Sequence, residues 1–136
     1  NLQASFGFSI PNGNMNGERL ASIEPEEAIL GLLWDTGKLR LSGYANFTAG
    51  SYDNFAPSCG RSGCTPLLAL SGLTTFDVYG SYQITANMKL RFALKNLTDE
   101  SYWNWSSVQG KSASDANLDL FMEPGRNSSV GLKYEF

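Results

Sequence analysis

The chain has 136 residues, 42% of them hydrophobic, and carries 10 Lys and Arg against 13 Asp and Glu, for a formal net charge of -3 without a single histidine. Its basic residues are scattered singly, as at Lys38, Arg40, Arg91 and Lys95, so no basic stripe offers itself to nucleic acid. The lack of His excludes Ser–His and Cys–His nucleophile systems within the chain, and the longest apolar run, Ala28 to Trp34, is far shorter than the roughly 20 residues a membrane-spanning helix requires.

The length is that of one ordinary domain, but the chain opens NLQASFGF, with neither an initiator Met nor a basic and apolar leader. It is therefore expected to be part of a longer protein. Asn1 to Ile10 alternates, with Leu2, Ala4, Phe6, Phe8 and Ile10 on one face and Gln3, Ser5, Gly7 and Ser9 on the other, which predicts a strand. Pro11 to Pro25 is rich in Asn and Gly, carries no periodicity, and reads as a loop. Glu26 to Asp35 is apolar at Ala28, Leu30, Leu32 and Trp34 but also at Ile29 and Leu33, making it the least clear strand.

Thr36 and Gly37 predict a two-residue hairpin turn into Lys38 to Thr48, where Leu39, Leu41, Gly43, Ala45 and Phe47 oppose Lys38, Arg40, Ser42, Tyr44 and Asn46. Ala49 to Leu73 is a long connection holding Tyr52, Phe55 and the pair Cys59 and Cys64. Two cysteines without His cannot complete a four-ligand zinc site, so an oxidised loop staple is the favoured reading and two free thiols the alternative. Thr75 to Thr85 resumes alternation, with Phe76, Val78, Gly80, Tyr82 and Ile84 against Asp77, Tyr79, Ser81 and Gln83. A short turn at Ala86 to Met88 leads to Leu90, Phe92 and Leu94 opposing Arg91, Ala93 and Lys95. Thr98 to Gly125 is a third long connection. In the last strand, from Arg126, Val130, Leu132, Tyr134 and Phe136 oppose Ser129, Gly131, Lys133 and Glu135.

Short turns and long connections alternate strictly, which in an up-and-down sheet gathers the short turns on one edge and the long loops on the other. Alternation alone fits a soluble sheet over a core as well as a barrel wall, and a mean hydropathy of -0.22 is compatible with both. The ending separates them. A chain finishing mid-strand on Phe136, with Tyr134, Leu132 and Val130 at every second position before it, resembles the C-terminal signal of bacterial outer-membrane β-barrels. That resemblance implies recognition of the last strand by the barrel-assembly machinery, a wall facing outer-membrane lipid, and Phe136 in the periplasmic girdle. The three long loops are then extracellular. A cation on the lipid face costs about 2–4 kcal/mol at mid-bilayer, and a one-residue slip would turn Arg40, Asp77, Arg91, Lys95 and Lys133 outward together.

Three stretches carry a narrower resemblance: IEPEEAILGLLWD; FDVYGSYQITANMKLRFALKNLTDESYW; and EPGRNSSVGLKYEF. Ile23 to Phe136 resembles the C-terminal end of TonB-dependent outer-membrane receptors, and YWNWSSVQG followed by a loop and EPGRNSSVGLKYEF is most similar to the haem, haemoglobin, transferrin and lactoferrin receptor branch. The fold class this implies is all-β, with residues 1–136 forming an antiparallel up-and-down portion, six strands, of a transmembrane barrel of roughly 22 strands. The plug and TonB box that gate transport are expected outside these residues. The implied function is uptake of an extracellular iron source (haem, haemoprotein or other iron chelate) at the outer membrane, driven by TonB, with no catalysis and no cofactor of its own. A structural or adhesive barrel, a receptor for a siderophore or other nutrient, and a soluble binding sandwich are the alternatives.

Other constellations have plainer readings. Glu24, Glu26 and Glu27 form a solvated junction rather than an acid/base group, and Asp115 and Asp119 lack the spacing of a Ca²⁺ loop. Asn46, Asn96, Asn104 and Asn127 each begin an N-x-S/T triplet, read as noise. Tyr102, Trp103 and Trp105 fall just beyond an upward strand, where an outer aromatic girdle is favoured over ligand contact. Tyr52 and Phe55, deeper in a loop, are better placed for a ligand. Tyr52 and Tyr102 are formal haem-iron ligands, but iron ligation is expected from outside this stretch.

Overall fold

The computed structural model describes residues 1–15, 18–19, 23–51, 58–60, 63–65 and 67–136. Among the described residues ten strands form, in chain order: β1 (Leu2–Ser9), β2 (Asn14–Met15), β3 (Glu18–Arg19), β4 (Glu27–Asp35), β5 (Leu39–Thr48), β6 (Ser58–Gly60), β7 (Gly63–Thr65), β8 (Leu73–Thr85), β9 (Met88–Lys95) and β10 (Asn127–Tyr134). Six of them make one antiparallel sheet in the order β1-β4-β5-β8-β9-β10, so every strand of that sheet pairs with its neighbour along the chain. The two small ladders, β2 with β3 and β6 with β7, are hairpin arms inside the first two long loops, where the sequence showed no periodicity.

Register keeps the two faces in phase across the whole sheet. Reading one row, Phe6 faces Leu30, Leu30 faces Ala45, and Ala45 faces Phe76. In another, Leu41 faces Gly80, Gly80 faces Phe92, and Phe92 faces Val130. Partners in an antiparallel ladder share a face, so the apolar residues form one continuous surface and the polar ones another. β4 obeys the same rule. Ala28, Leu30, Leu32 and Trp34 join the apolar face, while Ile29, Gly31 and Leu33 lie on the polar face, where the Tyr44 ring covers Gly31.

A single layer has nothing to bury its apolar face against. Leu2 is 73% exposed and Val130 75%, and the buried apolar side chains among the described residues, Pro25, Val108 and Leu118, belong to loops. So large an exposed apolar surface is an interaction surface by its extent alone.

The short turns differ slightly from expectation. Three residues, Thr36, Gly37 and Lys38, separate β4 from β5, rather than two. Gly37 takes φ +88°, its N–H donates to Asp35 Oδ1 (2.7 Å), and Asp35 Oδ2 accepts from Arg40 Nε and Nη2 at 2.8 and 2.6 Å. Only Ala86 and Asn87 separate β8 from β9. A bulge between Gln83 and Thr85 frees the Gln83 amide to donate to the Thr85 carbonyl at 2.7 Å. Asn87 then holds the chain end: its Nδ2 donates to the Glu135 carbonyl (3.0 Å), and the Glu135 N–H donates to the Asn87 carbonyl (2.9 Å).

On the apolar face the Phe92 ring lies across Gly80, where an added Cβ would sit 2.1 Å from Phe92 Cζ. Gly80→Ala should therefore destabilise the sheet by about 1–3 kcal/mol through overpacking, and Gly80→Ala with Phe92→Leu should recover most of it. Urea unfolding of the intact protein in detergent, followed by loss of heat-modifiable mobility, measures both.

Candidate functional site

Described residues of the second and third long loops build a cap over one edge of the sheet, and its base is a hydrogen-bonded clasp at Asn96 and Asp99. β9 ends because Asn96 and Asp99 adopt φ +52° and +58°, left-handed values that Asn and Asp tolerate better than most residues. Asn96 is buried, 4% exposed, and all its polar groups are engaged. Its N–H donates to Asp77 Oδ1 (2.9 Å), its Nδ2 donates to the Glu100 carbonyl (2.8 Å), and its Oδ1 accepts from the Glu100 N–H (3.0 Å). Asp99 Oδ1 accepts from the Arg126 N–H at 2.7 Å, just before β10 begins. A Cβ on Gly125 would come within 2.8 Å of that same carboxylate oxygen, so a side chain before Arg126 would push the Asp99 carboxylate off the Arg126 N–H.

Above the clasp, Tyr102 and Glu123 bring the two limbs of the last loop together: the Glu123 N–H donates to the Tyr102 carbonyl at 2.9 Å. The Trp103 indole N–H donates to the Leu118 carbonyl (2.9 Å), so this ring is anchored within the loop. A short helix α1 (Trp105–Val108), capped by Asn104 Oδ1 accepting from the Ser106 N–H, places Val108 beside the 3-10 turn Leu118–Phe121. The second loop is stitched to the third through the Leu68 N–H, which donates to the Lys111 carbonyl at 2.8 Å. Asp115 serves the loop itself. The Asn117 N–H and Lys111 hold its carboxyl below the usual range, and Lys111 Nζ also sits 4.2 Å from the Phe121 ring centre.

Under the cap, on the polar face, lies a cleft of about 640 Å³ whose lining includes Glu27, Asn46, Asp77, Lys95, Tyr102 and Glu123. Asn46 Nδ2 donates to Asp77 Oδ2 at 3.3 Å, tying β5 to β8 at its floor. Burial pushes the Tyr102 phenol up, with the Glu123 and Asp77 carboxylates adding to the effect. A separate cleft of about 190 Å³ between the loops takes in Tyr102, Trp103 and Trp105 together with Leu70 and Gly72. The structure thus brings Tyr102, Trp103 and Trp105 to one place. Tyr52 and Phe55 lie outside the described residues. Cys59 and Cys64 are opposite partners in the β6–β7 ladder. Val130, Leu132 and Tyr134 share the apolar face, and the Tyr134 and Phe136 rings meet edge to face at 5.1 Å. Among the described residues, no three His, Cys, Asp or Glu side chains gather as a metal group.

Asn96 was named from the sequence only as the start of an N-x-T triplet and Asp99 and Gly125 carried no site reading, although KNLTDESYW and EPGR stood out as a pair of stretches. The clasp is the physical reason they occur together.

No family model matches the chain. It is 24% identical over 150 residues to Hemoglobin-binding protein A of Haemophilus influenzae, covering 97% of this chain and 15% of that protein. It is 23% identical over 153 residues to a probable hemoglobin and hemoglobin-haptoglobin-binding protein 4 of the same species, covering 99% and 15%. Among solved structures, the copper transporter OprC superimposes with a TM-score of 0.76 at 23% identity, over 100% of this chain and 21% of its own. A G324V mutant of the ferric enterobactin receptor PfeA of Pseudomonas aeruginosa gives 0.67 at 20% identity, over 99% and 20%. The ferric-catecholate import receptor Fiu of E. coli K12 gives 0.65 at 18% identity, over 99% and 19%. The chain thus spans about a fifth or less of the length of these proteins. The likenesses bear out both the fold class, a portion of an antiparallel barrel, and the resemblance to TonB-dependent receptors of the haem branch. Each of the named proteins is described by binding, transport or import rather than by a reaction.

The clasp can be tested apart from any ligand. Asn96→Ala should cost about 1–3 kcal/mol by stranding the Glu100 groups, plus the left-handed strain that Asn96→Gly would avoid. Limited proteolysis of the intact protein should nick residues 97–125 faster in both variants, and more so in the alanine one. Equal nicking rates for wild type and both variants would refute the clasp.

Proposed function

We propose that the chain is the C-terminal wall of an outer-membrane receptor-transporter that takes up an iron source, haem or a haemoprotein, by TonB-dependent active transport. The observation that carries this reading is the likeness, over nearly the whole chain, to two proteins named for binding haemoglobin. It is supported by the in-phase register, which turns one unbroken apolar surface toward what would be lipid. On this reading the cap of long loops meets the extracellular ligand, and Val130, Leu132, Tyr134 and Phe136 present the last strand to the barrel-assembly machinery. TonB acts through a plug encoded outside these residues. The chain's own part is binding and passage, not catalysis.

Iron ligation is assigned elsewhere in the full receptor. The chain has no His, and haem ligation by tyrosine needs a phenolate, which the burial of Tyr102 disfavours. Tyr102, Trp103 and Trp105 contribute cap surface.

The test is growth of an iron-starved host that lacks its own haem receptors and expresses the full-length protein. Haemoglobin or haemin should restore growth in a tonB-positive host and fail to do so in a tonB-null one. Restoration by ferric catecholates or copper alone, or restoration without TonB, would overturn the reading.

The Cys59–Cys64 disulfide belongs to the same proposal. Directly opposite partners on adjacent antiparallel strands have Cα atoms within the span a disulfide bridges. Alkylation of the intact protein without reductant, followed by mass measurement, should leave both thiols unmodified; two alkylated thiols would remove the staple.

A further inference from the structure

The polar face changes sign along the strands. Toward the cap its charged residues are mainly Glu27, Asp77 and Glu123, with Lys95 the cation among them. Toward the short turns they are mainly basic. In one row Arg40 faces Ser81, Ser81 faces Arg91, and Arg91 faces Gly131; in the next, Gln83 faces Lys89 and Lys89 faces Lys133. Asp35 pairs with Arg40 and Glu135 with Lys133, whereas Arg91 makes no ion pair among the described residues.

Around Arg91 lies a groove of about 450 Å³ between Arg40 and Arg91, floored by Ser42, Ser81, Ala93 and Ser129, with Tyr79 at its side. An added Cβ on Gly131, opposite Arg91, would meet nothing within 4 Å among the described residues, so none of them fills the space beside the guanidinium. Arg40 already gives Nε and Nη2 to Asp35, so the Arg91 guanidinium is the cation open to an anion, with three hydroxyls and a phenol beside it, and a guanidinium matches a carboxylate through two parallel N–H bonds.

We propose that the Arg40–Arg91 groove is an anion site on the lumenal wall, which receives the carboxylate groups of a diffusible ligand after it leaves the acidic cleft under the cap. The site rests on the reading of this face as lumenal. A porphyrin carrying two propionates is the carboxylate ligand that fits the proposed function. The sign change gives the wall a direction, since an anion is disfavoured near Glu27, Asp77 and Glu123 and favoured near Arg91.

The experiment uses the full-length receptor in outer-membrane vesicles, with Ser129→Cys in the groove and Val130→Cys on the opposite face. The probes are two thiosulfonates of similar size, one carrying a sulfonate and one a trimethylammonium. The unsubstituted receptor is the blank for Cys59 and Cys64. The sulfonate reagent should modify Ser129→Cys about fivefold faster than the cationic one, and Arg91→Gln should abolish that preference. Haemin should slow the modification, and its dimethyl ester should not. Equal rates for the two reagents, or no reaction with either, would overturn the anion site. Equal modification of Val130→Cys and Ser129→Cys would instead show that the assignment of faces had failed.

Discussion

The phase of alternation across the strand pairs is the constraint on which the rest of the structure depends. A β-strand has a side-chain period of two, so any pairing error of one residue exchanges its faces. Here five successive pairings keep Phe6, Leu30, Ala45, Phe76, Phe92 and Val130 on one side and Asn46, Asp77, Ser81 and Arg91 on the other. Were one strand out of step, a cation such as Arg91 would enter the apolar surface. The small residues are placed by the same phase: Gly80 accepts the Phe92 ring on one face, and Gly31 accepts Tyr44 on the other.

The edge that carries the long loops is organised differently, by side chain to backbone hydrogen bonds. Asn96 reaches Asp77 on β8 and Glu100 in its own turn, while Asp99 reaches the residue just before the last strand. Buried polar groups are stable only when fully paired, and Asn96 meets that demand with its own N–H, its amide donor and its amide acceptor. Because the clasp brings the limbs of the third loop together at their base, the loop above it can build a small apolar nucleus of Val108 and Leu118.

How much could be read without coordinates followed from what each feature depends on. The six main strands, their faces and their neighbour-to-neighbour order were legible because they rest on period-two alternation and on connection length, both local properties. β4 was harder, since Ile29 and Leu33 put apolar residues on its polar face as well. The hairpin arms β2–β3 and β6–β7 were missed because ladders of two or three residues leave no measurable period. The cap's interior was also out of reach. Trp103 meets Leu118 across fifteen positions and Asp99 meets Arg126 across twenty-seven, contacts that no local pattern encodes. The Cys pair was legible from composition, and only the ladder showed that the two stand opposite each other.

The last strand is pinned at both ends, by Asp99 on the Arg126 N–H and by Asn87 on the Glu135 backbone. A ladder fastened at one end can accommodate a lost residue by sliding; one fastened at both acts as a ruler. The span from Arg126 to Glu135 is therefore fixed in length, whereas the stretch between Tyr102 and Glu123 can grow or shrink without disturbing it. A change in the length of that loop is in this way uncoupled from the measure of the final strand.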